Sequence, residues 1–92
     1  MRLSRQHRAA IAQSKAFICL VSPHWQGDPL CQAQARYAAE LQKPFLVFVW
    51  PDVRLSEDAF QGVRDLQIMQ LPAHYDVEMI AAQVQAWLEA QD

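Results

Sequence analysis

Two six-residue runs without a single polar side chain, residues 16–21 and 45–50, constrain this chain more than anything else in it. Neither alternates with polar residues, and both are rich in aromatic and branched side chains. Such runs suit strands buried on both faces, as in a parallel sheet covered by helices. A parallel pair needs a crossover, and the stretch between the runs supplies one. Asp28 is an N-cap, and Pro29 fits the first helical position because its missing N–H would have had no partner there. Leu30, Ala33, Tyr37, Ala38 and Leu41 then recur on one helical face. Pro44 pushes Lys43 out of helical geometry and ends the stretch. Strand, helix and strand in about 35 residues make a βαβ unit, expected to be right-handed.

The flanks extend the pattern. Residues 4–15 read as a helix with Ala10, Ile11 and Ser14 on one side. Trp50, Pro51 and Asp52 stop the second strand. Ser56, Glu57 and Asp58 resemble the cap and acidic first turn of a short helix to about Gln61, closed by Gly62. Residues 67–71 form a candidate third strand ended by Pro72. Asp76 caps a final helix with Val77, Ile80, Ala81, Val84, Trp87 and Leu88 along one face. The reading is an α/β fold with about three parallel strands flanked by helices, and residues 1–92 form a single domain.

Composition narrows the function. Eight basic against ten acidic residues give a net charge of −2, the wrong sign for a nucleic-acid binder of this size. Six apolar residues are far short of the roughly 20 that span a bilayer, and the basic start at Met1 and Arg2 leads into no apolar leader segment. The expectation is no nucleic acid, no membrane and a cytoplasmic location. The two cysteines, Cys19 and Cys31, are too few for a disulfide scaffold and have no metal-ligand spacing, so no metal is expected.

Chemistry concentrates after the first run. In open α/β sheets ligands gather outside the carboxyl ends of strands, and residues 22–28 lie there, leading into a helix N-terminus that suits an anion. With one glycine and no Gly-Lys-Ser/Thr, the loop is no phosphate loop; the plainer reading is a connection whose Trp folds onto the sheet edge. The crevice candidates are Ser22, His24, Trp25, Asp28, Cys31 and Gln34. Gln34 stands out as a polar residue inside the apolar stripe of its helix, where an unpaired amide costs roughly 1–3 kcal/mol. It either bonds to backbone or lines the crevice. Cys31, in a first helical turn, is open to a lowered pKa. Cys19 reads as a small core residue, His7 and His74 as surface residues, and Glu40 and Lys43 as solvated. Asp52 is as well read as a turn residue as an acid at a strand end.

From Ile11 to Pro44, and weakly on to the last helix so that the whole chain is covered, the chain resembles the Toll/interleukin-1 receptor (TIR) domain family, with a flavodoxin-like sheet. Members carry Ile and Ser at a helix end, an apolar strand, then Ser, an aromatic residue, a small polar residue, Trp-Cys and a Glu three beyond the Cys. Here Ile11 and Ser14 precede the first run, and Ser22, Trp25, Asp28, Leu30, Cys31 and Gln34 follow in register. Lys43 and Pro44 match the family's Lys-Pro before the next strand. Leu30 replaces the usual Trp, and Gln34 stands where enzymatic members carry the catalytic Glu of an NAD glycohydrolase.

The resemblance implies a partial fold lacking the family's first strand, helix, second strand and following loop. It further implies a non-catalytic protein-interaction module in bacterial-type signalling or defence, needing no cofactor. The alternative is half, or a remnant, of a TIR NAD glycohydrolase that binds NAD only when a second chain completes its site. A weaker alternative is a flavodoxin-like nucleotide-binding domain without a signalling role. On the interaction reading, Phe17, Ile18, Leu20 and Val21 form an open edge for a homodimer or a protein partner, with apolar surface bare near Trp25 and Leu30.

Overall fold

A computed structural model describes residues 3–56 and 58–91. Met1 and Arg2 of the basic start, and Glu57 of the expected acidic turn, lie outside the described residues. The elements run α1 (Arg5–Gln13), β1 (Phe17–Val21), a 3-10 turn (Trp25–Gly27), α2 (Pro29–Glu40), β2 (Phe45–Val49), β3 (Gln67–Gln70) and α3 (Val77–Ala90). The strands form one parallel sheet in chain order, β1-β2-β3. Phe17 pairs with Phe45, Val21 with Val49, and Leu46 with Gln67.

The caps act as the sequence dictates. Asp28 accepts from the amides of Leu30 (2.9 Å) and Cys31 (3.3 Å), and Asp76 from that of Met79 (2.7 Å). Ser4 caps α1 by accepting from the His7 amide at 3.1 Å. At the other end of α1, the Lys43 ammonium donates to the carbonyls of Ala12 (3.0 Å) and Ser14 (2.7 Å). Lys43 is therefore a fastener between α1 and the start of β2, not a solvated side chain.

Each sheet face has its own core. Phe17, Cys19, Val21, Phe45, Val47 and Val49 belong to the face covered by α1, α2 and, from the connection after β2, Val53, Leu55, Ala59, Phe60 and Val63. Leu46 and Phe48 belong to the opposite face, where Trp87, Val84 and Ile80 of α3 pack with Leu71 and Met69. All five residues of β2 are buried. β1 departs from the two-faced burial its sequence suggested. Ile18 and Leu20, register partners of Leu46 and Phe48, remain 43% and 44% exposed. The reason is width: one helix covers about two strands, and α3 sits over β2 and β3.

Three further expectations change. The short helix at residues 56–61 is absent among the described residues, which form successive turns ending at Gly62 with φ 82°. The buried face of α2 centres on Ala35 and Ala38, whose small side chains let the helix lie close on the sheet, while Leu41 is exposed. On α3, Val77 is 78% exposed and Leu88 lies at the margin, because nothing among the described residues packs beyond that helix's flank.

Candidate functional site

The carboxyl ends of β1 and β2 open onto two connections, and neutral amides hold both in place. Gln26, in the 3-10 turn, donates from Nε2 to the Arg54 carbonyl (3.1 Å) and accepts at Oε1 from the Ser56 amide (3.2 Å). Gln32 on α2 donates to the carbonyls of Trp25 (3.3 Å) and Gln26 (3.2 Å). Gln70 at the end of β3 donates to the carbonyls of Val49 (3.3 Å) and Trp50 (3.1 Å). Each side chain spans two elements.

The six crevice candidates do not converge. His24 and Asp28, with Pro23, Gly27 and Pro29, line an open hollow of about 540 Å³, but the Asp28 carboxylate is already engaged in capping α2. Ser22 is half-buried at the strand end, its carbonyl accepting from the Trp25 amide at 3.0 Å. Trp25 is only 5% exposed, with its ring 5.2 Å from that of Phe60. The bare surface expected near Trp25 is thus closed, because Val53, Leu55, Ala59, Phe60 and Val63 join the same cluster. Gln34 is half-buried on α2 and does not line the hollow. Of the expected edge residues, Val21 is fully buried and Phe17 half-buried, with its ring 4.9 Å from that of Phe45. Ile18 and Leu20 alone present their side chains outward.

Neither thiol is activated. Burial pushes Cys19 up to about 12, helped by the neighbouring Cys31, against a hydrogen bond from the Trp25 side chain that acts downward. Cys31 is also raised, first by desolvation and then by the Asp28 carboxylate. The lowering that a helix N-terminus could give Cys31 is overridden by desolvation, with the Asp28 carboxylate adding to it, so nucleophilic chemistry has no support here.

A second cavity, not anticipated from the sequence, lies beside the first. It is a groove of about 460 Å³ lined from α2 by Gln32, Ala35, Arg36 and Ala39 and from the connection after β2 by Ser56, Asp58, Ala59 and Phe60. The signal was present on one side: Gln32, Ala35, Arg36 and Ala39 follow helical spacing. The other wall is aperiodic turn.

Neither protein-family models, curated proteins nor solved structures gave a match. The geometry must therefore carry the functional reading. Among the described residues no three His, Cys, Asp or Glu side chains gather as metal ligands, and no helix is long and apolar enough to cross a membrane.

The free edge of β1 is the remaining feature. Phe17 donates its amide to the Pro44 carbonyl (2.9 Å), and the Trp50 amide donates to the Val21 carbonyl (2.9 Å). In a parallel ladder alternate residues point their N–H and C=O to opposite sides. Residues 17, 19 and 21 therefore serve β2, and the backbone groups of Ile18 and Leu20 point away from the sheet. The same two residues expose their side chains.

Proposed function

We propose that this chain is a non-catalytic, TIR-like protein-interaction module of bacterial-type signalling or defence, acting in a reducing, cytoplasmic compartment and docking through β1. The observation that carries the interaction role is the double exposure at Ile18 and Leu20: outward backbone groups and outward apolar side chains on one edge strand. Natural sheets guard such edges with charge, proline or bulges. Here no charged residue lies within Phe17–Val21, and Lys15 stands just before it. Pairing with an added strand would satisfy the backbone groups and set both side chains beside those of the added strand on the same face.

The occupant we assign is a second copy of the chain, its β1 running antiparallel about a two-fold axis. The register that opposes Ile18 to Leu20 of the other copy uses all four outward backbone groups of each strand. The TIR-like character rests on the residue register from Ile11 to Pro44, and the reducing compartment on two free thiols. An NAD-cleaving role has no comparable support, since position 34 carries an amide and stands apart from the hollow at the α2 N-terminus.

Light scattering after size exclusion, at micromolar concentration, tests the docking. The expected mass is about twice 10.5 kDa, returning to the single-chain value in Ile18→Lys/Leu20→Lys and unaffected by Ala82→Lys on the exposed side of α3. A wild-type species of 10.5 kDa throughout the concentration series overturns the reading.

A further inference from the structure

We infer that the bare side-chain face of β1, beside α3, is a seat for one basic amphipathic helix of a partner protein. The inference deepens the interaction reading on a different surface: docking uses the backbone edge of β1, and the seat uses its side chains. Sharing of one helix between two copies rests on that docking.

Ile18 and Leu20 form the floor, 43% and 44% exposed on the side of the sheet where α3 packs. Their register partners Leu46 and Phe48 are buried there, so the floor lacks a covering helix, not apolar side chains. α3 supplies a wall. Ile80, Val84 and Trp87 pack toward the sheet, and Val77, Ala81, Val84 and Leu88 form a second stripe, one flank over, at successive intervals of four, three and four residues. That is the spacing of a helix-packing seam. Val77 is 78% exposed, Leu88 37%, and Ala81 is exposed as well. Leu88 and Gln85 line a hollow of about 660 Å³ with Lys15 and Ala16 at the start of β1. Met79, on the opposite flank, packs into the cluster that holds Met69 of β3. The stripe therefore overlooks β1.

The width selects a helix. Strands lie about 4.8 Å apart, so α3, over β2 and β3, has its axis about 10 Å from the outer edge of β1. Helices pack with axes about 8–10 Å apart. In the two-fold pair the two α3 axes stand about 19 Å apart, which leaves room for one helix touching both walls. Edge pairing leaves Ile18 and Leu20 of both copies side by side on one face, and a helix laid over them would cover all four. The charge selects its polar side. Both charged residues of α3, Glu78 and Glu89, are acidic, and they rim the wall; Lys15 is the basic group at its end. A helix with apolar residues inward and Lys or Arg outward complements this seat.

The test is fluorescence anisotropy with a labelled 14-residue Leu/Lys peptide, matched in length to α3, its leucines on one helical face. Comparison peptides carry the same residues in an order without helical periodicity, or Glu in place of every Lys. Saturable binding with a Kd on the order of 10 μM is expected, at one peptide per two chains, with both comparison peptides at least about tenfold weaker. Val77→Gln/Leu88→Gln changes two exposed positions and should weaken binding about tenfold at unchanged size-exclusion mass; Ala82→Gln, off the stripe, should not. The inference is overturned if the Leu/Lys peptide does not saturate, if a comparison peptide binds as well, or if Val77→Gln/Leu88→Gln leaves the affinity unchanged. It is equally overturned if that variant lowers the mass of the peptide-free protein, because a second copy then covers the wall. A 10.5 kDa species that binds one peptide with this selectivity refutes docking through β1 and leaves the seat standing. A pair that binds none refutes the seat and leaves the docking standing.

Discussion

Replacing Phe60 by alanine asks whether the turn-rich connection between β2 and β3 is part of the core or merely lies near it. Phe60 is 7% exposed and its ring approaches Trp25 at 5.2 Å and Phe45 at 5.9 Å. Truncating a buried Phe to Ala costs about 3–5 kcal/mol through lost transfer energy and the cavity left behind. The described residues between 53 and 63 lack regular secondary structure and can settle into part of that space, which places the expected loss near 3 kcal/mol. Small domains have about 0.05–0.15 kcal/mol of stability per residue, so this is a large share of the total. At about 4–8 °C per kcal/mol for a domain of this size, the melting temperature should fall by some 12–24 °C. Phe60→Leu keeps the volume but loses the ring contacts and should cost about 1 kcal/mol. Urea and thermal unfolding followed by tryptophan fluorescence measure both, and Trp25 emission should shift to the red in Phe60→Ala. A loss below about 1 kcal/mol with unchanged emission would refute the docking of this segment, and with it the base of the groove.

Gln42 sits at φ 60°, a region that favours glycine, so Gln42→Gly should stabilise by up to about 1 kcal/mol in chemical unfolding. The Cys19 thiol is raised on folding to about 12 from 9.0, which means the folded chain holds this proton more tightly than the unfolded chain. The resulting stability is complete below pH 9, declines as pH rises from 9 toward 12, and should decline less in Cys19→Ala when unfolding is measured across that window. Incubation with NAD should release no nicotinamide, either from the wild type or from Gln34→Glu, because position 34 does not line the hollow at the α2 N-terminus; turnover lost in Gln34→Ala would show that reasoning to be wrong.

The strand order and the three long helices were legible because their signals are local: uniform apolar runs, capping aspartates and proline at a first helical turn. What the sequence could not distinguish was the fate of two similar runs. Residues 16–21 and 45–50 carry the same kind of side chain, yet β2 is covered on both faces and β1 on one, because coverage depends on where α3 lands. The short helix expected at residues 56–61 had a cap and a closing glycine. A five- or six-residue segment gains too few i to i−4 bonds to offset nucleation, and turns packing Phe60 inward won instead. Of the six crevice candidates, only His24 and Asp28 line a common hollow. Gln26 went unremarked because its partners Arg54 and Ser56 lie 28 and 30 positions away. Lys43 was hidden for the same reason, its partners Ala12 and Ser14 lying 31 and 29 positions back.

The amide fastenings at Gln26, Gln32 and Gln70 bear on how this protein responds to its solution. Carboxamides carry no net charge, so added salt does not screen their bonds and ordinary pH changes do not titrate them. The ion pair found among the described residues joins neighbours, Arg64 and Asp65, whose side chains are 70% and 65% exposed, and it adds little to stability. The charged exceptions are Lys43, clamping α1 from a half-buried position, and the capping carboxylates of Asp28 and Asp76. The frame around the carboxyl end of the sheet should therefore keep its shape from dilute buffer to strong brine. Ionic strength becomes a clean experimental variable: indifference to salt at β1 would report apolar and backbone pairing.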